Sequence, residues 1–170
     1  MKNISLTAFL AATAIAGAAY VTIAPLSAAT ATTTMPVSAT VANNCTIATN
    51  PIAFGSYDPI VAHASADLDA AGAVTIACTK GATTSIGFDT GVNASSSTRR
   101  LGSGSDFLTY ELYQDSSRST VWGNSGAALY NSGTSPSKNA RTYPVHGRIT
   151  AGQDVSAGSY TDTVTATVNF

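Results

Sequence analysis

Charge is scarce in this sequence, and positive charge is scarcer still. Only 10% of the 170 residues are Asp, Glu, Lys or Arg, and the part beyond residue 29 holds seven basic against nine acidic side chains. Nucleic-acid binding needs clustered positive charge, so the composition argues against a nucleic-acid partner. Thr, Ser, Ala and Gly dominate instead, as in exported surface proteins rich in β-strand.

Helical periodicity is also missing beyond the N-terminal region, because apolar residues rarely recur at spacings of three and four. Period-two patterns are frequent, and they predict an all-β chain. The predicted strands cover residues 35–45, 52–54, 73–79, 85–89, 107–114, a short stretch near Val121 and Trp122, 141–149, and the C-terminal residues. About seven short strands joined by Gly, Ser, Asn and Pro clusters indicate an immunoglobulin-like sandwich. Pro144 predicts an edge or a bulge in its strand, since proline cannot donate a ladder hydrogen bond.

The N-terminal region has the pattern of a secretory signal peptide covering residues 1–29. Lys2 precedes an apolar run over residues 4–23, and small residues follow in "PLSAAT". A membrane anchor is the alternative, but no Lys or Arg follows before Lys80 to stop transfer. We therefore expect a mature form with no membrane span, whose remaining 140 or so residues suit one domain.

Two cysteines, Cys45 and Cys78, belong to a chain bound for an oxidising compartment, which predicts one disulfide. Closing a loop of this size would contribute about 3 to 4 kcal/mol in the chain-entropy treatment. The alternative is a pair of thiolate metal ligands. Zinc would need two further ligands, and the only histidines, His63 and His146, lie far apart in sequence.

The last eleven residues, "YTDTVTATVNF", alternate apolar and polar side chains as a half-buried strand does. Tyr160, Val164, Ala166, Val168 and Phe170 fall on one face. Nothing later in this sequence can pair with this strand, and an open apolar edge promotes aggregation. The pattern therefore predicts that a separate segment covers it.

Residues 30–44 alternate in the same way, with Met35, Val37, Ala39 and Val41 on one face. These fifteen residues would extend to about 50 Å, which is enough for a first strand ending at Cys45 and for an arm that precedes it. Two other interpretations remain open: the arm is disordered, or it folds back onto the C-terminal strand of its own molecule.

Several blocks in order resemble the spore coat protein U domain family, to which subunits of archaic chaperone–usher pili belong. They are "VSATVANNCTI", "NPIAFGSYDP", "VTIACTKG", "LTYELYQD" with the following "VWG", and "YPVHGRITAGQDVSAGSYTDTVTATVNF". The resemblance covers essentially the whole chain beyond the signal peptide, and it extends to the major pilin of biofilm-associated archaic pili. It implies an incomplete immunoglobulin-like sandwich that lacks its last strand.

The resemblance also implies how the gap is filled. A strand of a periplasmic pilus chaperone would occupy the groove first, and the N-terminal arm of another copy or a related pilin would replace it at the outer-membrane usher. By this analogy residues 30–37 form the donor arm, with Thr33, Met35 and Val37 as anchors, and residues 38–170 form the pilin domain. The apolar face of residues 160–170 would line the acceptor groove. The expected destination is a fibre on the surface of a Gram-negative bacterium, supporting adhesion or biofilm formation.

Few residues have side chains suited to catalysis or metal binding, and we expect no catalytic site, metal or cofactor. No G-x-S-x-G elbow accompanies His146 to suggest a hydrolase. His63 with Asp67 and Asp69 could bind a metal, but acidic loops are more often solvated. Arg99 and Arg100 are interpreted as solvated loop charges, although the resemblance makes them a recurrent position near the start of a strand.

Five aromatic residues could form a carbohydrate-binding platform: Tyr110, Tyr113, Trp122, Tyr130 and Tyr143. Large aromatics in a sandwich more often belong to its core. The alternative function is therefore a self-contained secreted coat or carbohydrate-binding module.

Overall fold

A computed structural model describes residues 25–170 of the chain. The signal-peptide prediction falls mostly on residues 1–24, outside the described part. Within this range, the residues up to Ala39 and the residues from Thr40 onward belong to two separate units. Residues 25–44 contain no helix or strand, and their side chains are exposed. No helix within the described range is long and apolar enough to span a bilayer.

Residues 45–170 form eight strands in two antiparallel sheets, so the predicted all-β class is confirmed. The strands are β1 (Cys45–Asn50), β2 (Leu68–Cys78), β3 (Thr83–Phe88), β4 (Arg99–Ser103), β5 (Asp106–Tyr113), β6 (Tyr130–Thr134), β7 (Arg141–Ile149) and β8 (Ala166–Asn169). The larger sheet has the order β1-β2-β7-β5-β4, and the smaller sheet has the order β6-β3-β8. This arrangement is consistent with an incomplete immunoglobulin-like sandwich.

The predicted first strand over residues 35–45 is wrong, because β1 begins at Cys45 instead of ending there. Cys45 pairs with Cys78, the last residue of the antiparallel neighbour β2, and a disulfide joins them. Residues before Cys45 would need partners beyond Cys78, where the chain turns at Gly81 with a φ of 91°. One further backbone bond, from the Thr79 N–H to the Asn44 carbonyl at 2.9 Å, continues the pairing, and the chain then leaves the sheet.

Other predicted strands differ from the observed ones because a strand forms only where a neighbouring strand is in position to pair with it. Residues 52–54 form no strand, and Val121 makes only an isolated bridge to Tyr113. Strands β4 and β6 were not predicted. Pro144 lies in a central strand, but the β5 partner of β7 reaches only from Ile149 to His146, so at Pro144 the strand pairs with β2 alone. Pro144 therefore lies at a locally unpaired edge of β7, although β7 is a central strand of its sheet.

The core lies between the sheets and is built from the inward faces of the strands. Its buried hydrophobic residues are Val74, Ile76, Cys78, Ala82, Ile86, Phe88, Leu108, Tyr110, Leu112, Trp122, Val145 and Ile149. Trp122 is fully buried, donates its indole N–H to the Ile86 carbonyl at 2.9 Å, and meets the Phe88 ring edge-on at 5.0 Å. Trp122 and Tyr110 are therefore core residues, as sandwich aromatics usually are.

Candidate docking groove

β8 is one of the two edge strands of the smaller sheet, and β6 is the other. β8 pairs with β3 on one side, from Asn169 opposite Ser85 to Ala166 opposite Phe88, and residues 25–170 supply no second partner strand. The predicted alternation is present, since Tyr160, Val164, Ala166 and Val168 are half-buried while the threonines between them are exposed. Phe170 is 56% exposed. An unpaired strand with a half-buried apolar face is a template for strand addition.

The segment before β8 crosses from one sheet to the other. Thr161 exchanges two backbone hydrogen bonds with Gly102 of β4, at 2.8 and 3.1 Å, in the larger sheet. A few residues later the chain joins β3 in the smaller sheet. The regular strand therefore covers only Ala166–Asn169 of the predicted residues 160–170. The segment joins the two sheets on one side of the sandwich, and β8 lies near β1 without pairing with it.

The chain after β1 forms the opposite wall. Ile52 and Phe54 pack against the core, and Gly147 of β7 makes this approach possible, because a Cβ there would lie 2.7 Å from the Phe54 ring. Tyr57 fixes the far end of the wall: its hydroxyl donates to the Thr150 carbonyl at 3.0 Å and accepts from the Gln153 N–H at 2.9 Å.

Between the two walls lie two consecutive cavities that share Ile52, Phe54, Leu101 and Asp162 in their linings. The narrower one has a volume of about 280 Å³ and runs past residues 162–164 down to core side chains such as Val145. The wider one has a volume of about 790 Å³ and runs past residues 154–162. Together they make one groove beside the C-terminal segment, which we call the acceptor groove.

Asp162 places a carboxylate where the two cavities meet. Asp162 accepts a hydrogen bond from the Tyr110 hydroxyl at 2.7 Å and another from the Asn93 backbone N–H at 3.1 Å. Burial, together with this bond to Asp162, raises the pKa of Tyr110, so the phenol remains the donor. The carboxylate thus has partners within the subunit.

Asp89 fastens the C-terminal segment to the end of β3. Its carboxylate accepts the Thr165 N–H at 2.9 Å and the Gly91 N–H at 3.0 Å. Burial raises the pKa of Asp89, but the hydrogen bonds from Thr165 and Gly91 outweigh burial, so the pKa lies below its ordinary value of 3.8. The bonds stabilise the folded state only while the carboxylate is ionised.

We expect Asp89→Asn to lower the free energy of unfolding by about 1 kcal/mol at pH 7, because charge-assisted hydrogen bonds are lost. The folded-state pKa is the lower one, so the contribution is complete above about pH 4 and disappears as the pH falls through the folded pKa. Urea unfolding of both proteins between pH 7 and pH 2 should show their difference shrinking. A constant difference across that range would contradict this role of Asp89.

The predicted anchors of the donor arm are all solvent-exposed. Met35 is 83% exposed and Val37 is 88% exposed, and Thr33 is exposed as well. Val41, which the sequence placed in the first strand, is 82% exposed and lies in no strand. The alternating apolar side chains of residues 30–44 are thus unburied. Their role as anchors stays a prediction.

Other residues considered as chemical sites have structural partners. Asp69 accepts two hydrogen bonds from Arg148, at 2.7 and 2.9 Å, and Asp67 lies 3.2 Å from the same guanidinium. His63 accepts the Asp58 N–H through Nδ1 at 2.9 Å and stacks on Tyr57. The structure therefore does not bring His63 together with the two aspartates as a ligand set.

The aromatic residues do not form an exposed row. The Tyr130 ring lies 4.9 Å from Trp122, which is fully buried, and 5.1 Å from Tyr143. Tyr113, Tyr130 and Tyr143 are half-buried. A flat carbohydrate platform is not built from these side chains.

The interpretation of Arg99 as a solvated charge is wrong. It is 3% exposed and pairs with Glu111, while its guanidinium donates to the carbonyls of Phe88, Asp89 and Trp122. Arg100, the next residue, is half-buried and lies over the Phe107 ring at 3.9 Å. Arg99 is a core residue of the sandwich, and the polar sequence around it gave no sign of that.

Comparison with known proteins identifies relatives of this architecture. The Spore Coat Protein U domain matches residues 31–167. The protein described as "Protein U" from Myxococcus xanthus is 36% identical, over 91% of this chain and 93% of its own length.

A solved structure of a CsuC–CsuE chaperone–tip adhesion subunit pre-assembly complex, from the archaic chaperone–usher Csu pili of Acinetobacter baumannii, contains a chain of similar fold. The TM-score is 0.58 and the identity 25%, over 77% of this chain. The match spans 41% of the length of that chain.

Proposed function

Because the chain belongs to the spore coat protein U domain family, we propose that it is a structural pilus subunit that polymerises by donor-strand complementation and exchange. The resemblance to a chaperone–usher pilus complex supports a pilin role. One observation carries the proposal: an unpaired β8 edge and an open groove with a mostly apolar narrow section occur in the same chain as an exposed, alternating segment. The exposed segment supplies the strand that the β8 edge lacks, and the groove supplies the packing surface that the segment lacks.

The energetics of such a joint are favourable. Burying a large anchor such as Met35 or Val37 contributes about 1.5 to 3 kcal/mol, and each new ladder hydrogen bond adds about 1 kcal/mol net. Summed over one strand, this rivals the 5 to 15 kcal/mol that stabilise a typical domain. A subunit with an empty groove is therefore only marginally stable, whereas a donor strand in the groove stabilises it strongly. The contact is heterologous, so it propagates into a fibre instead of closing.

The partners follow from this mechanism. A periplasmic pilus chaperone fills the groove before assembly, an outer-membrane usher is the site of exchange, and further copies or related pilins extend the fibre. Residues 1–29 direct export, and the fibre lies outside the cell of a Gram-negative bacterium, where it supports adhesion or biofilm formation. The family and the fold are those of structural subunits, so the proposed role is not enzymatic.

The test is a chain that lacks the donor arm, residues 30–37. It should give neither fibres in electron micrographs nor SDS-resistant ladders on gels, while the complete chain gives both. A synthetic peptide of residues 30–44 added during refolding should raise the melting temperature of the shortened chain, because it fills the empty groove. Normal fibres from the shortened chain would rule out the arm as donor.

A second candidate is a self-contained coat or carbohydrate-binding module. The observation that favours it is the match to Protein U, which covers 93% of that protein, together with the spore-coat name of the family. This candidate requires a stable monomer in the absence of any chaperone. Size-exclusion chromatography of the purified chain decides: a lasting monomer that the peptide does not stabilise supports the coat module.

A further inference from the structure

The exposed alternating stretch is longer than the arm predicted from sequence. The apolar series Met35, Val37, Ala39 and Val41 continues past residue 37, and Val41 is as exposed as Met35, at 82% against 83%. Since β1 begins at Cys45, Val41 belongs to no strand of its own subunit. The segment available to a neighbouring copy therefore extends at least to Val41.

The acceptor groove is also longer than residues 30–37 can fill. Its narrow section follows residues 162–164, and its wide section follows residues 154–162. Beyond residue 164 the chain continues into β8, which ends at Asn169. An occupant that pairs with β8 and reaches the near end of the wide section, at residues 160–162, needs about the eleven residues that match the segment 160–170.

The direction of the added strand follows from the sandwich itself. All six strand pairings among the described residues are antiparallel. A strand that continues the ladder beyond β8 in the same pattern runs antiparallel to it. The beginning of the arm then lies beside Phe170, and its end lies beside Tyr160 and the wide section.

The alternation restricts the register to steps of two, because a slip of one residue turns every apolar side chain outward. Resting on the proposed function, we propose one register: residues 31–41 of one copy pair antiparallel with residues 160–170 of another, with Met35 opposite Ala166. Val37 then lies opposite Val164, and Val41 lies opposite Tyr160 at the wide section.

Side-chain size and polarity select this register over its two neighbours. It places the largest anchor, Met35, opposite Ala166, the smallest residue on the groove face, so the volumes compensate. It also places Ala39 opposite Asp162. A shift of two in either direction sets a valine, Val37 or Val41, against the carboxylate that Tyr110 and Asn93 hold.

Disulfide trapping between two copies tests the register. A donor carrying Met35→Cys is mixed with acceptors carrying Ala166→Cys, Val164→Cys or Val168→Cys, with the native Cys45–Cys78 bond intact. Directly opposed residues can be bridged, whereas cysteines with Cα atoms more than about 7 Å apart cannot, which excludes most pairs two residues out of register. We expect several-fold more cross-linked dimer with Ala166→Cys than with either other acceptor, as measured on non-reducing gels and by mass spectrometry of the linked peptides.

Two further pairs complete the experiment. Thr33→Cys with Val168→Cys repeats the test of the same register should Ala166→Cys fold poorly, and Val41→Cys with Tyr160→Cys tests the length of the donor. Each acceptor is first shown to join wild-type fibres. A dominant cross-link from Met35→Cys to position 164 or 168 overturns the register and leaves the proposed function standing. Cross-links at Ala166 but none at Tyr160 overturn the extension to Val41, and no cross-link at any pair overturns donor-strand exchange as well.

Discussion

Replacing Val37 with aspartate is expected to stop fibre growth. The substitution sets a carboxylate opposite Val164 in the narrow section of the groove, where the described lining residues include no Lys or Arg, and an unpaired buried charge costs several kcal/mol. Since each 1.4 kcal/mol is a factor of ten in affinity, the yield of SDS-resistant ladder should fall about a hundredfold or more. Quantitative immunoblots of unheated samples measure the change.

Ser38→Asp is the matched control, because it introduces the same charge one residue later, on the opposite face of the extended arm. It should leave the ladder unchanged. The Val37→Asp chain retains its own groove, so it should still accept the arm of a wild-type copy and cap a fibre at one end. Equal loss with both substitutions would contradict a groove-facing role for Val37.

Arg99→Ala is expected to destabilise the sandwich by about 3 to 5 kcal/mol, the usual result of breaking a buried charged network. The guanidinium connects β4 to three carbonyls from elsewhere in the core and pairs with Glu111. Its removal leaves those acceptors without a donor and Glu111 without a cation. Because the total free energy of unfolding of a domain is only about 5 to 15 kcal/mol, the soluble yield should fall sharply. The midpoint of urea unfolding provides the measurement.

The adjacent Arg100→Ala serves as the comparison. Arg100 makes one hydrogen bond to the Asn93 carbonyl and covers the Phe107 ring at a half-exposed site, contacts that contribute about 1 kcal/mol. Arg99→Lys should recover little of the lost stability, because a single ammonium group cannot reproduce the planar set of N–H donors of a guanidinium. Similar midpoints for Arg99→Ala and Arg100→Ala would show that the buried network contributes little.

Strands with strong local patterns could be predicted from the sequence. The range of β7, residues 141–149, was predicted fully, and the alternating face of residues 160–168 has the predicted burial. The disulfide between Cys45 and Cys78 also follows from composition and compartment. In each case the signal lies in the segment itself.

The misplaced elements depend on partners that lie far away in sequence. Residues 35–41 alternate as a strand does, yet they lie outside the sheet, because the pairing ends with the backbone bond between Thr79 and Asn44, just before the turn at Gly81. Arg99 lies among Ser, Thr and Gly and is buried only because Glu111 and three distant carbonyls surround it. Periodicity records which face of a segment is apolar, and it does not record which molecule that face packs against.

The position of the disulfide has a mechanical consequence. In a fibre joined through residues 31–41, tension pulled along the axis enters each subunit where the arm meets β1, at Cys45. There a covalent bond passes the force directly to Cys78 and so to β2, an interior strand with neighbours on both sides. Stretching such a fibre would therefore strain the non-covalent joint between subunits before it peels β1 from its sheet, and chemical reduction would move the weak point into the subunit.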